Sequence, residues 1–412
     1  MKETYHSLKD FELSYGTNAI ERANDFQQYI NQLNDFGCKS YWITSHTGIG
    51  ATMTIEGFDE PVSAFISNDY LGMSQREETK QAGIEAIKKY GTGACAAQVI
   101  GGYLDIHQQL EHEIASFVGQ EDAILFSSGF GANAGILRAL LGKNDIALID
   151  PYIHTSAMAG LKGTNVKRIG HNDLEYMEKA LKESKDQYQT KLVIIDGVYS
   201  QDGDLSLLPE IISLCKAHGA MLMLDDAHGI GVMGTNGRGT AEHYNCLGQV
   251  DIITGTFSKS FGCVGGFAAA SKKVIQYLKY YADSNVFSAA PTPQVTASIL
   301  KALEIIKKEP GIRARLWENT NYLRNRLTEE GFDIGKSVSP IFPILIRDNK
   351  KVYEIAKMLQ EKGIFTIGIV YPAVRTKEAR LRVSVLATHE RHQLDALIHA
   401  LNEINKEINF KI

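Results

Sequence analysis

No run of apolar residues in this chain approaches the roughly 18 that a membrane-spanning helix needs. The opening MKETYHSLKDFELSYG also has no apolar core of the kind that marks a secretory signal. A cytoplasmic protein without a transmembrane segment is therefore expected. Cysteine is sparse and scattered: Cys38, Cys95, Cys215, Cys246 and Cys263 form no C-x-x-C pair. Neither a zinc ribbon nor a redox dithiol is indicated, and an odd set of distant thiols suits a reducing compartment. A basic excess is missing too, since Lys+Arg 43 against Asp+Glu 48 gives a formal charge of −5. That balance speaks against nucleic acid as a partner. The chain has no GxxxxGK[ST] loop and no GxGxxG after its first strand, so nucleotide-binding folds lose support.

What is present is ample apolar material, 44% hydrophobic against 22% charged over 412 residues, enough for more than one core. Residues 1–60 read as an N-terminal arm, with a helix through Ile30 and Leu33 and short extended pieces near 41–43 and 53–55. Residues 61–300 read as a large α/β domain. Helical spacing at Ile106, Leu110, Ile114 and Phe117 stops at Gly119, and the apolar run AILF follows. Asn172, with Glu175 three residues on, is placed as the N-cap of a helix that puts Leu174, Met177 and Leu181 on one face. LVIID then ends at Asp196. A helix through Leu208, Ile211 and Cys215 leads to AMLML before Asp225, and VDIITGTF precedes Lys259. Runs apolar on both faces, alternating with helices, predict a buried, mostly parallel central sheet flanked by helices. Residues 301–412 read as a smaller C-terminal α+β domain, with strand candidates PIFPILIR, IFTIGIV and LRVSVLA, one helix among them and a final helix from about Gln393.

Ligands of an open parallel sheet lie beyond the carboxyl ends of its strands. Four segments occupy such places: FSSGFG from Phe126, DGVYS from Asp196, LDDAHG from Leu224 and TGTFSKS from Thr254. All four are expected to line one pocket. The first would present helix N-terminal amides to an anion. Asp225 and His228, three apart, would project into the crevice from one turn. A carboxylate there needs a cation, either a protonated ring nitrogen or a metal. A metal would want further close ligands, and Asp226 is the only adjacent candidate, so no metal is expected. Lys259 follows a buried strand, where a solvated lysine is out of place. A lysine amine that can form a Schiff base, together with an aspartate for a ring nitrogen, suits pyridoxal 5'-phosphate.

These residues carry a resemblance to the fold-type-I pyridoxal-phosphate transferases, and within them to the α-oxoamine synthases. The matching segments run collinearly as SNDYLG, YGTG, LDIHQQLE, LFSSGFGAN, DGVYSQDGD, LDDAHGIGVMGTNGRG, GTFSKSFGCVGGF and ARLRVSVLATHE, from about residue 65 to 390. The resemblance implies that Lys259 is the Schiff-base lysine and Asp225 the partner of the pyridinium nitrogen. It places His228 and Ser200 near the cofactor's 3-hydroxyl and His154 on its ring face. Thr256 and Ser258, with Ser128 and the amides of Gly129 and Phe130, would hold the phosphate. Ser288 would reach it from a second subunit, implying a homodimer with shared active sites. Tyr70 and Arg382 fall to the substrate. Arg380 competes with Arg382 for the substrate carboxylate because both share one face of a strand, and the resemblance favours Arg382.

The reaction so implied is a decarboxylating condensation of an L-amino acid with an acyl-CoA, giving an α-amino ketone. GTFSKS, ALEIIKKEP and SPIFPILIRDNKK resemble the bacterial serine palmitoyltransferase branch, so serine or a serine-like acid with a long-chain acyl-CoA ranks first. The alternatives are 8-amino-7-oxononanoate synthesis from alanine and a pimeloyl thioester, and glycine C-acetyl transfer. Readings of other classes are transamination and a non-catalytic partner subunit, the latter opposed by Lys259. The chain departs from the family pattern at Ala97-Gln98, where a Ser-Arg pair is common, at Gln201, where methionine is frequent, and at Arg375, where proline is common.

Overall fold

Strands that are apolar on both faces must be covered on both sides, and the larger of two compact units, residues 68–317, is built around such a sheet. The structure, a computed structural model, describes residues 18–36 and 41–411, the side chains of 32–36 apart. The opening segment, Cys38 and the Leu33 side chain lie outside the described residues.

The sheet has seven strands in the order Asp122–Phe126, Gly266–Ala270, Ile252–Thr256, Met221–Asp225, Lys191–Asp196, Ile146–Ile149, Asn165–Arg168. Only Gly266–Ala270 runs against the rest, pairing antiparallel with both neighbours. The other pairings are parallel, so the mostly parallel α/β sheet expected from the apolar runs is the one observed. Ile124, Ile149, Ile194 and Ile252 from the sheet pack with Ile136 and Leu137 of the helix Gly129–Leu140 in one buried cluster. The helix Asp105–Val118 ends at Gly119, whose φ of 77° lets its N–H return to the Ala115 carbonyl.

Gly266 shows why this reversed strand reads GFAAA. A Cβ there would lie 2.6 Å from the Cα and N of Gly129, at the start of the helix that opens on the sheet's carboxyl edge. Backbone cannot yield as a flexible side chain can. Gly266→Ala should therefore displace that helix start and cost about 1–3 kcal/mol, read as a lower thermal midpoint. Gly311→Ala, whose Cβ would meet nothing within 4 Å, should leave the midpoint in place or raise it.

The smaller unit comprises the described residues of 1–67 together with 318–412. One three-stranded antiparallel sheet joins Ile341–Leu345, Arg380–Ser384 and Ile367–Ile369. In a second, Val62–Ala64 pairs antiparallel with Thr52–Met53 and parallel with Ile364–Phe365. The partition thus differs from the expected 1–60, 61–300 and 301–412. The early segment shares a sheet with the late one, and the helix Pro293–Lys308 falls within the larger unit.

Three local expectations also give way. Asp173, not Asn172, caps the helix Leu174–Glu183: its Oδ1 accepts the Tyr176 N–H at 2.9 Å, while Asn172 turns left-handed with φ 52°. IFTIGIV breaks at Thr366 into strands of two different sheets, and 41–43 forms no strand. A helix unforeseen in the sequence, Pro310–Glu329, opens at its own proline, where the missing N–H costs nothing. Among the described residues, no helix is long and apolar enough to cross a membrane, and Cys95, Cys215, Cys246 and Cys263 are free.

Candidate active site

The carboxyl ends of four strands and the start of one helix enclose a cleft of about 310 Å³ in the larger unit. All four polar segments singled out from the sequence contribute to it. Ser128, Gly129 and Phe130 form one end, at the helix N-terminus, with Thr256 and Ser258 beside them. Asp225, His228, His154, Ser200 and Lys259 line the remainder. Ten expected residues therefore share one wall system.

Each is held by local chemistry. Ser128 is the N-cap, its Oγ accepting the Gly131 N–H at 2.9 Å, and Gly129 and Phe130, whose amides have no intrahelical acceptor, line the cleft. A Cβ on Gly129 would come within 2.9 Å of the Thr256 Cβ, so the helix start rests directly on the strand end. Thr256 Oγ1 donates to the Gly265 carbonyl at 2.9 Å and accepts the Ser258 N–H at 3.2 Å, fixing the turn that leads to Lys259.

Asp225 closes the strand Met221–Asp225 in register with Asp196 on one side and Thr254 on the other. Its Oδ2 accepts from Asn133 Nδ2 at 2.6 Å and its Oδ1 from the Ala227 N–H at 3.1 Å. Asn133 also donates to Ser156 Oγ at 2.9 Å, and that hydroxyl lies 2.7 Å from His154 Nδ1. One chain of contacts thus runs from the carboxylate to the imidazole. Burial, helped by the Lys259 charge and opposed by that of Asp225, pushes the His154 pKa down, so the ring is neutral at neutral pH. Asp196 also lines the cleft; burial, and then the Asp225 charge, raise its pKa well above the usual carboxylate range. Asp226 faces away from the cleft lining as an anchor, accepting the Thr240 N–H at 2.7 Å. Burial raises its carboxyl to about 6 against the lowering effect of Thr240.

The remaining expected residues stand elsewhere. Tyr70 is buried behind the cleft, with its hydroxyl 2.7 Å from His228 Nδ1. Ser288 follows the short helix Asp283–Val286 and does not line the cleft. Arg382 is buried in the smaller unit on the strand Arg380–Ser384, where its Nη1 donates to Ser384 Oγ at 2.9 Å. Arg380 Nε donates to the Glu378 carbonyl at 2.7 Å. Sequence reasoning did not single out Asn133 or Ser156. Each lies one helical turn or less inside a helix start, and the only sequence signal for Asn133 is its i+4 spacing from Gly129.

Residues 61–401 match the aminotransferase class I and II family. The serine palmitoyltransferase of Sphingobacterium spiritivorum is 40% identical over 94% of this chain and 96% of its own. The 8-amino-7-oxononanoate synthase of Thermoanaerobacter pseudethanolicus is also 40% identical, over 83% of this chain and 87% of its own. A solved serine palmitoyltransferase with pyridoxal phosphate superposes with a TM-score of 0.90 at 28% identity, covering 96% of this chain and 100% of that one. This chain belongs to the aminotransferase class I and II family and, within it, to the α-oxoamine synthases.

Proposed function

We propose that this chain is a pyridoxal-phosphate-dependent acyltransferase that condenses serine, or a serine-like amino acid, with a long-chain acyl thioester. The products are an α-amino ketone, carbon dioxide and the free thiol. The observation that carries the reading is the cleft itself, which gathers a lysine amine, two carboxyl groups, two imidazoles and a capped helix N-terminus.

The residues fit the cofactor. The amides of Gly129 and Phe130 and the hydroxyls of Ser128, Thr256 and Ser258 form a donor set suited to a phosphate. Asp225, oriented by Asn133, suits a protonated ring nitrogen. His154, held by Ser156, suits a ring face, and Ser200 and His228 a phenolic oxygen. The cleft volume falls in the range of small-molecule sites. Bound there, pyridoxal phosphate supplies an electron sink for negative charge at the amino acid's α-carbon.

The chain's own groups do the rest. Lys259 holds the cofactor through its amine and, once the amino acid takes its place, removes the α-proton. Asp225 keeps the positive charge at the ring nitrogen. Arg382, as a fork of donors, receives the substrate carboxylate, and Tyr70 holds the His228 ring through its hydroxyl. A homodimer is part of the reading, with Ser288 of a second copy meeting the phosphate; the neighbouring Phe287 is 87% exposed in the single chain. So is a cytoplasmic location.

Serine with a long acyl chain is ranked above alanine with a pimeloyl thioester on the segments GTFSKS, ALEIIKKEP and SPIFPILIRDNKK; relatives of both names stand at 40% identity. Thiol release measured for serine, alanine and glycine against palmitoyl, pimeloyl and acetyl thioesters, with mass detection of the ketone, tests the choice. Serine with the palmitoyl thioester should exceed every other pair by at least tenfold, or about 1.4 kcal/mol. Turnover of alanine with the pimeloyl thioester alone would overturn it.

A further inference from the structure

His171 does not line the cleft, yet it sits between the two loops that furnish part of its wall. The strand Ile146–Ile149 runs into Asp150 and then to His154. The strand Lys191–Asp196 runs into a turn with Ser200 near its tip and Asp204 at its base, where Tyr199 N–H donates to the Asp204 carbonyl at 3.0 Å. His171 Nδ1 lies 2.9 Å from Asp150 Oδ2, and its Nε2 lies 2.8 Å from Asp204 Oδ2. With a carboxylate at each nitrogen, both must donate, so the ring carries the extra proton. Tyr199 meets the ring edge-on at 4.5 Å and Tyr152 packs against it at 4.6 Å. Asn172 reinforces the join. Its N–H donates to Asp150 Oδ2 at 3.2 Å, its Nδ2 donates to the Leu205 carbonyl at 3.0 Å, and its Oδ1 accepts the Leu207 N–H at 3.2 Å.

We infer that His171 is a positioning residue: as a cation bridging Asp150 and Asp204, it ties the loop presenting His154 to the turn presenting Ser200, and so sets the spacing of two cleft walls. The role rests on the proposed function, since what those walls receive there is pyridoxal phosphate.

The titratable groups facing the ring are Asp150, Asp204, Tyr152 and Tyr199. Burial and the charges of Asp150, Asp196 and Asp204 push the Tyr199 hydroxyl well up, so it stays neutral. Burial alone would lower the His171 pKa, but hydrogen bonds to Asp150 and Asp204 override it and raise the pKa to about 9 from 6.5. A raised pKa means that the bridge contributes fully below pH 6.5 and is lost as pH climbs to about 9.

The test compares the full-length wild type with His171→Gln and Asp204→Asn. Two quantities are followed from pH 6 to 10: pyridoxal phosphate affinity, by fluorescence titration of the stripped protein, and the thermal midpoint of that protein without cofactor. Asp204→Asn removes one of the two charges, so the alkaline loss of affinity should begin about one pH unit lower. His171→Gln should weaken affinity about tenfold at pH 7, as loss of an outer-shell partner does, and flatten the decline of the thermal midpoint between pH 6.5 and 9. Should His171→Gln not fold, the pH shift in Asp204→Asn decides alone. Wild-type affinity with an unmoved pH profile in the variants would overturn the inference while leaving the proposed function intact. A wild type that binds no pyridoxal phosphate would refute the proposed function, and the positioning role with it.

Discussion

Lys259→Ala should reduce amino-acid-dependent thiol release by on the order of 10⁴-fold or more, because a single amine is given two duties, covalent attachment and proton transfer. The chain presents that amine at the end of the strand Ile252–Thr256, in a cleft shared with Asp225 and His154. The lysine charge reaches His154 and Asp196, adding to the downward shift of the first and opposing the upward shift of the second. The decisive measurement is chemical. Borohydride should fix pyridoxal phosphate to the wild-type chain and leave Lys259→Ala unlabelled, with unchanged circular dichroism. Labelling that persists in the variant would place the attachment elsewhere and remove the basis of the proposed reaction.

Asp225→Asn should cost about 10²–10³-fold in turnover, or ~3–4 kcal/mol of transition-state stabilisation, the range for one preorganised electrostatic group in a water-poor site. The substitution is nearly isosteric, but it replaces a charge with an amide facing the Asn133 amide at 2.6 Å, a mismatch that at best flips one of the pair. The protein should still fold, since the neighbouring Asp226, which accepts from Thr240, is untouched. Relief from the Asp225 charge should also let Asp196 ionise more readily, because that charge is its second upward influence after burial. Turnover within threefold of wild type would show that Asp225 is not the partner of a ring cation.

Much of the larger unit was legible because its signals are local. Strands such as Lys191–Asp196 and Met221–Asp225 are continuous apolar runs punctuated by a polar residue, and that residue is where the cleft begins. The loops of the site were found by the same logic. His171 escaped it because its partners Asp150 and Asp204 are 21 and 33 residues away and belong to different strand ends. Asn133 and Ser156 escaped because they reach the cleft from within helices. The smaller unit was harder to read, since strands of two or three residues, such as Thr52–Met53 and Val62–Ala64, are too short to show a period. Tyr70 shows a further limit. The resemblance gives it to the substrate, and the contact of its hydroxyl with His228, 158 residues away, had no local signal.

The pairing of Val62–Ala64 with Ile364–Phe365 sets an order on biosynthesis. Ser63 lies opposite Ile364, so closing that short ladder means joining chain positions roughly 300 residues apart, a non-local pairing that forms slowly and late. On the ribosome, residues 68–317 emerge entire while the early strand still waits for its mate. Residues 68–317 can therefore pack during translation, whereas the strand Val62–Ala64 must be kept from foreign β-edges until Ile364–Phe365 has been made.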